Sequence, residues 1–263
     1  MFIVIKQNVF KAIMQEFEKE RDGLVIDDYS LKQVISMIIR FKEGASEEEN
    51  FYEELEDLYI HETRQYFAKF GPLEDYTFEE YLKKVEVILE QERERVEKYL
   101  KDSQSQKIIS VVEDELLVKN MEQILDKPTG LEYILNNNIV SQMQLLYRLY
   151  APLHNCVCEI ARKFKDYIIR KGNAIIDDLE ENATDMDQNQ MISQILDSSL
   201  VRNMHSLPFK DSYFSTAIQS GFASFLNRSI KDQTVSEILG KSTEKYLKKV
   251  RFECKLGKGV VYG

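Results

Sequence analysis

From Thr77 to Leu100 the chain alternates apolar and charged positions at helical spacing. Leu82, Val85, Leu89, Val96 and Leu100 fall three, four, seven and four residues apart along one stripe. Lys83, Lys84, Glu90, Arg93, Glu94 and Lys98 largely take the solvent side. That spacing predicts an amphipathic helix over Glu80 to Leu100, about 30 Å long at about 1.5 Å per residue. Thr77 followed three residues later by Glu80 is a capping box that marks its start. The same periodicity recurs at Val9, Ile13 and Phe17, at Leu31, Val34, Ile35 and Ile38, at Val157, Ile160, Phe164 and Ile168, and at Phe214, Ile218, Phe222 and Phe225. No sustained alternating run suggests a sheet, so the fold class is all-α. Gly23 is expected to stop the first helix, Gly71-Pro72 the one around Phe51 to Phe70, and Gly172 the one that contains Phe164. Pro128 with Gly130 should separate two short helices. Asp177 to Gln190 is polar and almost without bulky apolar residues, which predicts a surface loop between two helical units.

The order of several such segments resembles a known family. Glu80 to Leu100 (EYLKKVEVILEQERERVEKYL), Glu115 to Leu125 (ELLVKNMEQIL), Gly130-Leu131 and Leu145 to Tyr150 (LLYRLY) come in the order and near the spacing found in cullins. Phe164 to Gly172 (FKDYIIRKG), Phe17 to Gly23 (FEKERDG), Phe51 to Tyr66, Phe222 to Asn227 (FASFLN) and Val235 to Lys249 are similar to further cullin segments. The resemblance covers nearly the whole chain. Each motif alone is a common amphipathic pattern, and their order carries the specificity.

Composition is that of a folded helical protein. Gly 10 and Pro 4 in 263 residues are about half the usual combined share of about 12%, so few positions force a helix to stop. Charged residues at 30% and hydrophobic ones at 43% are ample for a core. Glu43 to Asp57 is acidic without a base and Lys241 to Lys258 is mainly basic, but a formal net charge of -10 disfavours nucleic acid as a partner. No window approaches the ~20 apolar residues of a membrane span, and Phe2 to Ile5 is too short for a signal-peptide core. Cys156, Cys158 and Cys254 do not form a disulfide framework and read as reduced thiols.

Patterns that carry chemistry fail on spacing. His154, Cys156 and Cys158 lack the second ligand pair of a zinc site. Asp185, Asp187 and Asn189 imitate a calcium loop, but Gln190 stands where glycine is needed and Leu196 where glutamate is needed. Gly240-Lys241-Ser242 lacks the first glycine of a phosphate loop, since that position holds Val235. None of His61, His154 and His205 accompanies a nucleophile motif. No residue is assigned a catalytic, cofactor-binding or metal-binding role, and no cofactor is expected.

The resemblance implies an elongated stack of about two five-helix cullin repeats, an α-solenoid-like stalk. Residues 1–137 and 138–250 are expected as two repeat-like units, with 251–263 a divergent basic tail. By the same resemblance the protein is a scaffold in a cullin-RING ubiquitin ligase, not itself an enzyme. Its partners would be protein components of such ligases, without nucleic acid or membrane, and it would be soluble and intracellular, in cytoplasm, nucleus or both. The family's adaptor-binding first repeat and its RING-binding C-terminal region have no counterpart here, so a truncated form unable to recruit the RING protein by itself is expected. No docking residue is transferred from the family, and oligomeric state is left open. The alternative is a generic helical tethering or adaptor protein unrelated to ubiquitin transfer.

Overall fold

The computed structural model describes residues 2–42, 51–70, 73–100, 105–181, 188–196, 198, 200, 212–230 and 233–240. These are almost wholly helical, and the chain divides into two compact units, Met1–Lys127 and Pro128–Gly263. Gly71, Pro72, Asp185, Asp187, Lys241, Ser242 and the tail 251–263 lie outside the described residues.

The first unit begins with α1 (Phe2–Arg21), α2 (Asp28–Lys42) and α3 (Phe51–Ala68). After a 3-10 turn at Leu73–Asp75 it continues with α4 (Phe78–Tyr99), α5 (Ser105–Glu113), a π-helical turn at Asp114–Val118, and α6 (Met121–Leu125). Gly23 ends α1 as the sequence requires. Its φ of 80° is left-handed, its N–H bonds the Glu20 carbonyl at 3.0 Å, and the Leu24 N–H bonds the Lys19 carbonyl at 2.9 Å. This pair of bonds is a Schellman stop, and glycine bears the positive φ without a Cβ clash. At the start of α4 both halves of the capping box are made: Glu80 N–H donates to Thr77 Oγ1 at 3.3 Å and Thr77 N–H to Glu80 Oε2 at 2.9 Å.

Leu82, Val85, Leu89, Val96 and Leu100 are all buried, while Lys83, Lys84, Glu90, Arg93 and Glu94 are exposed and Lys98 is half-buried. Helix α3 packs against α1, α2 and α5, and α4 against α2 and α5. Phe17, Ile35, Leu55, Tyr59 and Val96 form the centre of the resulting core. Each such side chain contributes roughly 1.5–3 kcal/mol on burial.

The second unit holds α7 (Leu131–Asn136), α8 (Val140–Tyr150), α9 (His154–Glu181), α10 (Gln188–Leu196) and α11 (Ser212–Leu226). A two-residue hairpin follows, β1 (Ser229–Ile230) pairing antiparallel with β2 (Gln233–Thr234), and a helical turn covers 235–240. The separation of α6 from α7 falls at Pro128 and Gly130, as expected.

Two sequence expectations are corrected here. Gly172 does not end a helix, because α9 runs through it to Glu181. The glycine is there for close approach: a Cβ would lie 2.2 Å from Phe225 Cδ1 on α11. One turn away on the same contact, a Cβ on Gly221 would lie 2.9 Å from Ile168 Cγ2. Helices α9 and α11 therefore interlock through two glycine notches. The stretch from Asp177 likewise starts as helix, and only after Glu181 does the polar segment leave it, with Gln188 opening α10. Asp177 and Glu180 bond Arg228 at 2.7 and 3.4 Å, and Ile176 and Leu179 beside and between them are buried.

Candidate functional site

The first unit concentrates charge where a helical core ordinarily excludes it. Arg21, the last residue of α1, has a side chain only 5% exposed, and it reaches Glu92 of α4, which is 1% exposed. The contact is bidentate, Nε to Oε1 at 2.9 Å and Nη2 to Oε2 at 3.1 Å, and Nη2 also donates to Thr63 Oγ1 of α3 at 2.6 Å. The guanidinium carbon lies 5.2, 5.3 and 5.5 Å from the ring centres of Tyr59, Tyr66 and Phe67. A planar cation walled by aromatic faces and forked onto a carboxylate suits arginine and not lysine.

The same carboxylate accepts from the Tyr59 hydroxyl at 3.2 Å and from Arg95 Nη1 one turn along α4. Arg95 Nε then donates to Glu20 Oε2 at 2.7 Å. Lys98 contacts Glu20 at 3.5 Å and Asp28 at 2.5 Å, and the Tyr99 hydroxyl donates to Asp28 at 2.8 Å. Charges thus alternate in sign from Arg21 through Glu92, Arg95, Glu20 and Lys98 to Asp28, and they tie α1, α2 and α4 together. Phe17 seals the cluster from below, edge-on to Tyr59 at 4.8 Å and to Tyr99 at 5.4 Å.

The electrostatics follow from burial and sign alternation. Burial alone would weaken the Arg21 charge, but Tyr59 and Glu92 offset it and the net direction of its pKa is up. Burial, reinforced by Glu92, pushes the Tyr59 hydroxyl up as well. The Tyr66 hydroxyl, which donates to Asp22 at 2.8 Å, is pushed up to about 12, first by burial and then by that bond. Hydrogen bonds from Lys98 and Tyr99 lower the Asp28 carboxyl.

Chemically the arrangement holds and does not react. Both Glu92 oxygens are engaged by two guanidiniums and a hydroxyl, which leaves no vacant position facing a substrate. A groove of about 730 Å³ runs between α1 and α3 above Phe10, Met14, Leu58 and Phe70, with Arg21 at its edge. Among the described residues of its lining no nucleophile is paired with a base.

A second polar device supports the π-helical turn. Tyr81 of α4 donates its hydroxyl to the Leu116 carbonyl at 2.8 Å, and Asn120 donates to the Glu115 carbonyl at 2.9 Å. The wide turn misaligns backbone carbonyls, and these side chains satisfy them.

Several segments singled out in the sequence meet here. Glu20 and Arg21 come from Phe17 to Gly23, Tyr59 and Thr63 from Phe51 to Tyr66, and Glu92, Arg95 and Tyr99 from Glu80 to Leu100. The polar cluster itself is not apparent from the apolar periodicity. Cys156 is buried and Cys158 exposed, so their thiols are divided between the inside and outside of α9. Among the described residues no group of three metal-ligating side chains comes together, and no helix is long and apolar enough to cross a membrane.

Comparison with known proteins agrees with this architecture. Residues 1–255 match the Cullin alpha solenoid domain family. The chain is similar to Cullin-2 of Arabidopsis thaliana, 27% identical over 251 residues covering 90% of this chain and 34% of that protein. Cullin-3 of Dictyostelium discoideum is 25% identical over 255 residues, 95% of this chain and 32% of the relative. Cullin-4A of Homo sapiens is 24% identical over 249 residues, 93% of this chain and 31% of the relative. The chain spans about a third of the length of these curated relatives.

Proposed function

The chain belongs to the cullin family, and from that premise we propose that it serves as a helical scaffold segment of a cullin-RING ubiquitin ligase, not as an enzyme in its own right. The observation that carries the reading is the use made of charge in the first unit. The buried ion cluster has both Glu92 oxygens engaged by cations and a hydroxyl, and it fixes one helix against others. A scaffold needs that property: it transmits position, and directional bonds hold an angle where apolar packing alone tolerates sliding. Residues 1–137 and 138–250 are read as successive repeat-like units, with 251–263 as a divergent tail. Within the assembled ligase the segment separates the partners that bind elsewhere on the scaffold, in the cytoplasm or the nucleus. Catalysis of ubiquitin transfer would belong to the complex.

The test is affinity purification of the tagged chain from its own cells, followed by an assay for ubiquitin transfer with a RING protein and conjugating enzyme. Recovery of ligase subunits, with no transfer by the chain alone, is the expected result. Recovery of vesicle or cytoskeletal components without ligase subunits would favour a generic tether. RING-dependent ubiquitination by these residues alone would overturn the assignment of activity to the complex.

A further inference from the structure

The turn between α1 and α2 presents apolar side chains for which the fold has no use. Val25 is 100% exposed, Tyr29 74% and Leu24 58%, all within one short stretch of chain. Single exposed apolar residues are ordinary on a protein surface. Adjacent ones on a backbone pinned at both ends are different, because their exposure does not come from looseness.

On the α1 side the pinning is the Gly23 stop already described, anchored by the buried Arg21. On the α2 side Asp27 caps the helix, accepting from Ser30 N–H at 3.0 Å and from Ser30 Oγ at 2.6 Å. Asp22 is held by the Tyr66 hydroxyl at 2.8 Å. A rigid loop loses little conformational freedom when a partner covers it, so the apolar side chains act as pre-organised anchors.

Charge gives the partner's chemistry. Asp22 and Asp27 flank the apolar tip, and neither has an ion-pair partner among the described residues; both accept only from hydroxyl or backbone donors. Asp28, next in line, is neutralised by Lys98. The tip therefore carries an apolar centre within an unneutralised acidic margin. An apolar centre inside a polar rim is the anatomy of a protein interface.

We propose that Leu24, Val25 and Tyr29 form a docking tip for another protein, one that offers an apolar concavity bordered by lysine or arginine side chains. This goes beyond the scaffold reading and does not depend on it. The test uses the full chain in its own cells with a photo-crosslinking residue at the tip, Val25→benzoylphenylalanine. A matched Glu90→benzoylphenylalanine chain, probing an exposed position on α4, supplies the control. The expected result is one predominant crosslinked site from position 25, mapped to an apolar hollow with a basic border on a different protein. Leu24→Ser with Tyr29→Ser should lower its yield by at least about tenfold, the scale of one well-buried anchor, with the circular dichroism spectrum unchanged. Asp22→Asn, which keeps the acceptor for Tyr66 and removes only charge, should lower it independently and reduce its sensitivity to salt. No crosslink, the same proteins captured from positions 25 and 90, a second copy of this chain, or a hollow without basic residues would each overturn the proposal.

Discussion

The two units fix their helices by opposite means. In the first, α1 is held to α4 by Arg21, Glu92, Arg95 and Glu20, groups that bond only in particular directions. In the second, α9 is held to α11 by the absence of atoms, with Phe225 seated where a side chain on Gly172 would stand and Ile168 against Gly221. Polar locking resists sliding because a bidentate bond is lost within an ångström or so. Steric locking resists separation and rotation because a glycine notch admits one ring in one place. The two devices should also fail differently. Removing one buried charge leaves its partner stranded, while adding one methyl to a notch forces the packed ring to move.

The largest expected effect is on the polar side. Glu92→Ala strands two guanidiniums over a cavity and should destabilise by about 3–5 kcal/mol, the range for breaking a buried ion pair from one end. Urea unfolding gives the total, and hydrogen exchange should rise in α1, α3 and α4 well before it rises in α9 and α11. Faster exchange confined to the second unit would erase the contrast.

The counterpart is Gly172→Ala. Overpacking should destabilise by about 1–3 kcal/mol, even though alanine favours helix over glycine by about 0.5–1 kcal/mol. Exchange should rise in α9 and α11, and Phe225→Leu in the same chain should recover part of the loss. If Gly172→Ala stabilises, the glycine is a propensity defect and not a notch.

The smallest effect sharpens the polar side by its sign. Glu113, at the end of α5, is buried, and burial pushes its carboxyl above the ordinary range, with Arg93 opposing. A raised carboxyl pKa means that the folded state disfavours the anion. Stability is then present at low pH and falls as pH rises above the unfolded value of about 4.3. Glu113→Gln should raise the melting temperature at pH 7, and the gain should vanish toward pH 4. A loss at pH 7 would show that this carboxylate has a stabilising partner.

Much of this was legible in the sequence, with three informative failures. The stripe on α4 was readable because burial of one helix face imposes a spacing, and the cap because Thr77 and Glu80 satisfy otherwise orphaned donors. The buried charges were not, because periodicity arguments place every charged residue outside. A signal was nevertheless there: the stripe skips from Leu89 to Val96, and Glu92 stands in that gap on the inner side. Gly172 was misread because a glycine after a helical run can mean a stop or a close approach. Ile176 and Leu179 continue the apolar spacing beyond it and are both buried, which decides for close approach. The π-helical turn left no sequence trace, and the Tyr81 hydroxyl that satisfies its Leu116 carbonyl comes from a distant helix.

The most direct test of polar locking is a double-mutant cycle between Arg21 and Glu92, using Arg21→Met, Glu92→Leu and both together, followed by urea unfolding. If the pair locks α1 to α4, each single change strands a charge, and the double variant, which strands none between them, loses far less than the sum. The predicted coupling is about 2–3 kcal/mol. Losses that add to within about 0.5 kcal/mol would mean that the two side chains act independently and that this pair does not lock α1 to α4.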